Sequence, residues 1–313
     1  MERADGLVLA AEHHPNLLRS RVRRGELERL RRGAYLPTDT IAADRHVAAR
    51  VRAVARIRAV HARLDAPHVF SHTSAALLWD LPLWEPDPRV HVVQGYRAGG
   101  SAADDVARHR AVLDRWVELD GLPVTDLVRT VADCLLALHP LHGLVILDAA
   151  LRQGVDRRSV RDAVLAQRRR NGKARAQVLI ELGDAGAESA WETWLRYVAL
   201  RLGLPRPVTQ FPIATRSGTY RSDLAWPRDR VLAEFDGRVK YTADGLGAGW
   251  DPDRYRFDEK RRDDVIAETL GVRPLRFVAA DARTLAAVES RLLAAFPTST
   301  RRAARRNPLL PPP

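Results

Sequence analysis

Between Asp223 and Asp264 the chain gathers acids and lysines: Ser-Asp-Leu-Ala-Trp-Pro, then Leu-Ala-Glu-Phe-Asp-Gly-Arg-Val-Lys-Tyr, then Asp-Glu-Lys-Arg-Arg-Asp-Asp. Carboxylates held side by side raise one another's pKa unless a cation sits between them, and Mg²⁺, which demands oxygen ligands, is the natural one. Such a set can hold a metal against phosphate. The turn at Trp226-Pro227-Arg228-Asp229 separates the run containing Asp223 from a second run, Val231 to Asp236, and the pair predicts a hairpin. On the second strand the period of two sets Val231, Ala233 and Phe235 on one face and Leu232, Glu234 and Asp236 on the other. Only three of the 51 basic residues are lysine, namely Lys173, Lys240 and Lys260, and two of them flank this constellation. A compact, titratable ammonium fills a role that a planar guanidinium does not. All ten histidines lie at or before His142, so the C-terminal half must manage any chemistry without imidazole.

These residues resemble the PD-(D/E)xK nuclease superfamily. Within it they look like the very-short-patch-repair-endonuclease-like domain that follows an AbiEi-type antitoxin front end, over roughly residues 187 to 296. The resemblance implies a restriction-endonuclease-like mixed sheet flanked by helices. It also implies a metal, Mg²⁺ or Mn²⁺, held by Glu188 (in the run Glu-Ser-Ala-Trp-Glu-Thr-Trp-Leu-Arg), Asp223 and Glu234. Two departures stand out. Asp236 occupies the place of the superfamily lysine, so the positive charge must come from Lys240 or Lys260, and these three are the candidate catalytic residues. The histidines of the repair endonucleases are absent. The metal would lower the pKa of a bound water and offset charge on the transition state, while a lysine orients the water or neutralises the leaving group. The glycines of Asp244-Gly-Leu-Gly-Ala-Gly-Trp-Asp-Pro suit a loop over the site, with Trp250 available to stack on a base. The plainer alternative is that Glu234 and Asp236 only pair with Arg238, Arg261 or Arg262.

Length and composition suit a soluble α/β protein, α+β overall, of two domains or slightly more: 313 residues, 46% apolar and 29% charged. A net charge of +12 favours polyanionic partners, nucleic acid first and anionic membrane second. No run reaches the roughly eighteen apolar residues of a spanning helix, and the first residues lack a signal-peptide core, so the expectation is a cytoplasmic protein without membrane contact. One cysteine, Cys134, excludes an internal disulfide and a cysteine-rich zinc site; inside an apolar helical run it reads as a small buried hydrophobe.

At the other end of the chain, a helix from Asn16 to Arg24, a stop at Gly25 and a hairpin over Leu27 to Leu36 form a winged-helix pattern. Seven arginines, Arg19, Arg21, Arg23, Arg24, Arg29, Arg31 and Arg32, lie on this helix and wing, where they can meet phosphates and guanine edges of double-stranded DNA. Solvated arginine faces are the competing reading. The segment resembles the AbiEi-type winged helix, whose family role is binding operator DNA, although the first helix of the motif would be short or partly missing.

Next, Ala42 to Leu64 is a basic helix whose apolar line runs through Val47, Val51, Val54 and Ile57, expected to pack on the winged helix. Ser71 is placed as N-cap of the following helix, Val90 to Val93 as a strand, and a further helix is expected to open at Thr125. Both helix starts also resemble the AbiEi-type middle region. Helix then continues from Leu141 to Leu165, ahead of a polar connection with a boundary near Asn171. The expected domains are therefore a DNA-binding winged helix at 1–40, a mostly helical middle at 41–170, an endonuclease-like domain at 180–296 and a disordered basic tail at 297–313.

Two functions compete. One is a DNA-binding protein whose C-terminal domain hydrolyses phosphodiester bonds with Mg²⁺. The other is an AbiEi-type transcriptional regulator with an inert nuclease-like domain, whose implied partner is a nucleotidyltransferase toxin. Charge does not separate DNA from RNA, nor does the sequence set an oligomeric state.

Overall fold

A computed structural model of the chain describes residues 6–42, 44–96, 104–168, 171–236 and 252–313, with 252–260 described as backbone alone. The chain is α+β, and it sorts into two compact units: Met1–Leu138 with Val155–Lys173, and His139–Gly154 with Ala174–Pro313. Among the described residues no helix is long and apolar enough to cross a membrane.

The first unit opens with β1 (Val8–Leu9) and a 3-10 turn (Ala10–Glu12), followed by α1 (Pro15–Arg23), β2 (Leu27–Arg31) and β3 (Ala34–Pro37). The strands form a sheet of order β1-β3-β2. Pro15 at the first helical position starts α1. Gly25, at φ 73°, ends it: its N–H donates to Val22 O and that of Glu26 to Arg21 O, satisfying orphan carbonyls. The expected helix and hairpin are present, and one 3-10 turn stands where a first helix would.

Asp44 starts α2 (Arg45–His61) by accepting from the N–H groups of His46 and Val47. Its buried residues are Ala48, Ala55, Ile57, Ala59 and Val60, whereas Val47 on the expected line is 49% exposed. The basic residues themselves take part in packing. Arg52 forks Glu28 of β2 at 2.9 Å, and Arg50 donates to Leu77 O and to Asp80.

Then come β4 (Val69–Phe70), α3 (His72–Leu78), β5 (Val90–Gln94), β6 (Val106–Arg110), β7 (Val117–Leu119), β8 (Leu122–Val124) and α4 (Leu127–Ala137). The five strands order as β6-β5-β4-β8-β7, with β5 parallel to β6 and antiparallel to β4. Ile57, Val60, Phe70, Ala75, Val92 and Val124 knit α2 and α3 to this sheet. Two expected caps move. Ser71 does stand at the N-cap of α3, but its hydroxyl makes no cap hydrogen bond and lies 3.0 Å from His72 Nδ1. Asp126, rather than Thr125, caps α4 by accepting from Arg129 N–H. Cys134 on α4 is fully buried, and that burial holds its thiol well above the usual range, as expected of a packing residue.

The helix expected from Leu141 to Leu165 is two: α5 (Pro140–Arg152) belongs to the second unit and α6 (Arg157–Ala166) to the first. Gly154, at φ 91°, and the Asp156 cap explain the break. The first unit combines the helix, hairpin and middle strands and ends at Lys173, two residues past the boundary expected near Asn171, while α5 belongs to the second unit.

The second unit adds α7 (Lys173–Leu182, its first residue apart), α8 (Ala190–Leu202), β9 (Val208–Thr215), β10 (Gly218–Trp226), β11 (Val231–Asp236), α9 (Pro252–Leu270), β12 (Leu275–Val278), α10 (Leu285–Ala295) and α11 (Thr298–Ala303). Its sheet runs β12-β11-β10-β9, antiparallel except for the parallel β11–β12 pair. One face takes α9 through Leu232, Ala225, Ile213 and Ile266. The other takes α8, whose Trp191 stacks on Phe235 at 4.7 Å. Beneath them Asp148 of α5 accepts from Arg196 at 2.5 Å and from Thr193 Oγ1 and Asp184 N–H at 2.8 Å each, so the buried carboxylate of this ion pair is well hydrogen-bonded.

Residues 297–313 do not form the disordered tail expected. Leu310 is 2% exposed, Tyr197 Oη donates to Pro311 O, and Asn307 N–H donates to Arg201 O. Arg306 pairs with the buried Glu289 at 2.7 Å. A few anchored residues hold a segment whose composition alone supplies no core.

Candidate functional site

The β10–β11 hairpin and the α8 N-terminus assemble the site. The antiparallel ladder pairs Leu224 with Ala233, and beyond it Asp223 Oδ2 accepts from Phe235 N–H at 2.7 Å. Strand alternation puts Asp223 on the face of Ala225, and Glu234 on that of Leu232, both under α9. At the start of α8, Ser189 Oγ accepts from Glu192 N–H, while Glu192 Oε2 accepts from Glu188 N–H at 2.8 Å and from Gln210 at 3.1 Å. This is a variant of the capping box.

Glu188 therefore precedes the helix and is exposed, whereas Glu192 is the buried glutamate of the group, 9% exposed. Both lie close enough to matter electrostatically. The carboxyl of Glu192 is raised above its ordinary range by burial and then by the charge of Asp223. Burial likewise raises Asp223, only partly countered by the Phe235 N–H and by Arg262, and the charge of Glu188 raises it further. Glu234 is pushed up to about 7, by burial first, against the pull of Arg262 and Arg276. Arg262 Nη2 lies 2.8 Å from Glu234 Oε1, and Arg276, opposite Glu234 across the parallel pair, lies 3.5 Å from Oε2. Arg276 in turn pairs with Asp263 at 2.8 Å.

Of the expected metal ligands, Asp223 and Glu234 are buried neighbours, and both the exposed Glu188 and the buried Glu192 bear electrostatically on Asp223, although among the described residues no three carboxylates have their ligand atoms all within 4.8 Å of one another. Ser189-x-x-Glu192 ahead of an apolar run carries the signal for Glu192, because a capping-box glutamate must sit on the first turn. Gln210 and Arg276 have no such signal. Asp236 ends β11 half-buried, opposite Val278. Lys240, Arg238 and the glycine segment 244–251, Trp250 included, lie outside the described residues, and of Lys260 only its backbone place on α9 is described. Arg262 realises the plainer pairing expected for Glu234, and Arg261 is exposed.

An all-carboxylate donor set suits a hard divalent cation, which would relieve the repulsion of Asp223 with Glu192, with Glu188 and with Glu234. Asp223 and Glu234 would hold it, with Glu192 or Glu188 as the third ligand once their side chains close in.

In the first unit, Arg19, Arg23, Arg29 and Arg32 are exposed and make no ion pair among the described residues. The other three arginines are engaged: Arg21 and Arg24 with Glu26, at 3.3 and 2.6 Å, and Arg31 with Asp105 at 3.1 Å.

No family model matches the chain. Two uncharacterized proteins, from two strains of Mycobacterium tuberculosis, are each 37% identical to it over 130 residues, covering 41% of this chain and 48% of theirs. The chain thus spans about half the length of the curated relatives it matches.

Proposed function

We propose that this chain binds duplex DNA through α1 and the β2–β3 hairpin, and that its second unit hydrolyses phosphodiester bonds with Mg²⁺ or Mn²⁺. The observation that carries the reading is three buried carboxyls, Glu192, Asp223 and Glu234, each raised above its ordinary range, with Asp223 bearing on each of the other two. Folds keep acids apart unless a site needs them, and perturbed carboxyls in company are a mark of function. When bound, the metal supplies Lewis acidity and an acidified water. Arg262 and Arg276 would place positive charge next to the phosphate, and Glu192, hydrogen-bonded to Gln210 and to the Glu188 N–H, is held in one orientation.

A second reading rests on the same arginines. Two guanidiniums on Glu234 neutralise it without a metal, which suits an inert nuclease-like domain on an AbiEi-type regulator whose partner is a nucleotidyltransferase toxin. Plasmid, linear duplex, single-stranded DNA and RNA incubated with the full chain and Mg²⁺ or Mn²⁺ separate the two. Cleavage by the parent, lost in Asp223→Asn and Glu234→Gln, supports hydrolysis. No cleavage of any substrate, together with specific gel shifts on the upstream region of its own gene, moves the assignment to the regulator.

A further inference from the structure

Among the described residues, one group of three imidazole, thiolate or carboxylate ligands has all its donor atoms within 4.8 Å of one another: His72, His91 and His109, in the first unit. His91 and His109 come from the parallel pair β5–β6. His91 lies opposite Ala107 and His109 opposite Val93, so the two rings share one face, one step apart. His72 arrives from the first residue of α3, its ring stacked on that of His109 with centroids 3.7 Å apart. His91 and His72 are 5% and 7% exposed, while His109 is half-buried on β6, the edge strand, which leaves a route from solvent.

We propose that these three histidines form a binding site for one transition-metal ion of the zinc type. His91 Nδ1 lies 3.0 Å from His109 Nε2. Two nitrogens each about 2.05 Å from a tetrahedral ion stand roughly 3.3 Å apart, so His91 and His109 already stand near a ligating separation, while the His72 ring, stacked on His109, must turn about its side-chain bonds to present a nitrogen. The far nitrogen of His91, Nε2, lies 2.8 Å from Asp87 Oδ2. A carboxylate on the distal ring nitrogen fixes tautomer and ring orientation, which is the arrangement that supports metal-bound imidazole. Asp87 is held in turn by Thr73 Oγ1 and by Arg89 N–H, and Ser74 Oγ accepts from His91 N–H. Ser71 Oγ sits 3.0 Å from His72 Nδ1.

The backbone adds an independent sign. His72 has φ 50°, a left-handed conformation in a non-glycine residue at a helix start. Such strain persists where surroundings over-determine it, and it gathers at ligand clamps. With His91 protonated at Nε2 toward Asp87, its Nδ1 carries a lone pair, and His109 Nε2–H is the matching donor. An ion takes the place of that proton once His109 shifts its hydrogen to Nδ1. Three neutral nitrogens favour Zn²⁺ over Mg²⁺, and three protein ligands leave a fourth position open.

The test uses the metal-stripped full chain titrated with Zn²⁺ alone against a competing chelator, with zinc-edge X-ray absorption on the loaded parent. One ion per chain, with imidazole scattering at the metal, is expected. His91→Gln and His109→Gln should each lower affinity at least about 100-fold, and Asp87→Asn about 10- to 100-fold. An Asp223→Asn/Glu234→Gln chain should bind as the parent does, which separates this site from the carboxylates of the second unit. Absent stoichiometric binding by the parent, an absorption spectrum without imidazole, or affinity unchanged in His109→Gln would overturn the proposal. The spectrum needs no variant, so a misfolded His91→Gln chain does not shelter it.

Discussion

The first unit buries imidazoles and the second buries carboxylates, and the two clusters rest very differently. His72, His91 and His109 pack ring against ring, and the one acid among them, Asp87, is held down to about 2: burial raises it, but the His91 ring and the Arg89 N–H more than offset that. In the second unit Glu192, Asp223 and Glu234 are all driven upward, although Arg262 and Arg276 stand by. Imidazole binds a metal as a neutral group, whereas buried acids near one another keep an unbalanced charge until a proton or a cation arrives.

The largest effect distinguishes the two glutamates of the α8 start. Glu192→Gln should lower metal-dependent cleavage by about 10³-fold, as expected of a missing ligand, while Glu188→Gln should change it by no more than about threefold. Initial rates on supercoiled plasmid decide this. Equal losses in both variants would return Glu188 to the ligand set.

That pair also shows what the sequence makes legible. The hairpin, its turn and the bounds of β11 follow from alternation and from Trp226-Pro227, and the helix and hairpin before residue 40 follow from Gly25 and Gly33. Which of Glu188 and Glu192 lies on the helix depends on where that helix begins, and Ser189, accepting from Glu192 N–H, puts Glu192 on its first turn and Glu188 before it. The histidines are beyond reach for a different reason. His72, His91 and His109 have no motif spacing, and only the parallel register of β5 and β6 together with the entry of α3 sets them side by side. Residues 297–313 mislead through composition, since Pro and Arg predict no core, yet Leu310 and Pro311 are fixed on a unit whose core lies elsewhere.

Next in size is the pH response of the acidic cluster. Glu234, raised to about 7 in the folded chain from 4.5, binds its proton more tightly folded than unfolded. Stability should therefore fall as pH rises from about 4.5 to 7, by on the order of 3 kcal/mol. Glu234→Gln removes that slope, so urea midpoints of parent and variant should diverge between pH 5 and pH 8 in the variant's favour. Mg²⁺ at pH 8 should close the gap by stabilising the parent alone. Parallel curves would show that Arg262 and Arg276 already compensate the charge.

The imidazole side carries the opposite sign and a smaller magnitude. Asp87, lowered to about 2 from 3.8, contributes stability that is complete above its unfolded value and is lost as pH falls through about 2. Asp87→Asn should cost on the order of 2 kcal/mol at pH 7, with about half of that difference gone at pH 3. Denaturant melts at the two pH values, without added metal, measure it. A difference independent of pH would mean that the carboxylate only fills space beside His91.

The smallest effects belong to the exposed arginines, which touch neither cluster and so test whether the first unit meets DNA at all. Arg19, Arg23, Arg29 and Arg32 are exposed, whereas Arg21, Arg24 and Arg31 already answer to Glu26 and Asp105. Removing one arginine that neutralises a phosphate should reduce the slope of log affinity against log salt by about 0.9. Replacing Arg23 or Arg32 by Gln should therefore flatten the slope by that amount on any duplex, while Arg31→Gln should leave it nearly unchanged, because its guanidinium is neutralised by Asp105 before DNA arrives. A slope that responds to Arg31 as strongly as to Arg23 would mean that the Arg31–Asp105 pair opens on binding, and that the arginines of helix and wing act together irrespective of their partners in the free chain.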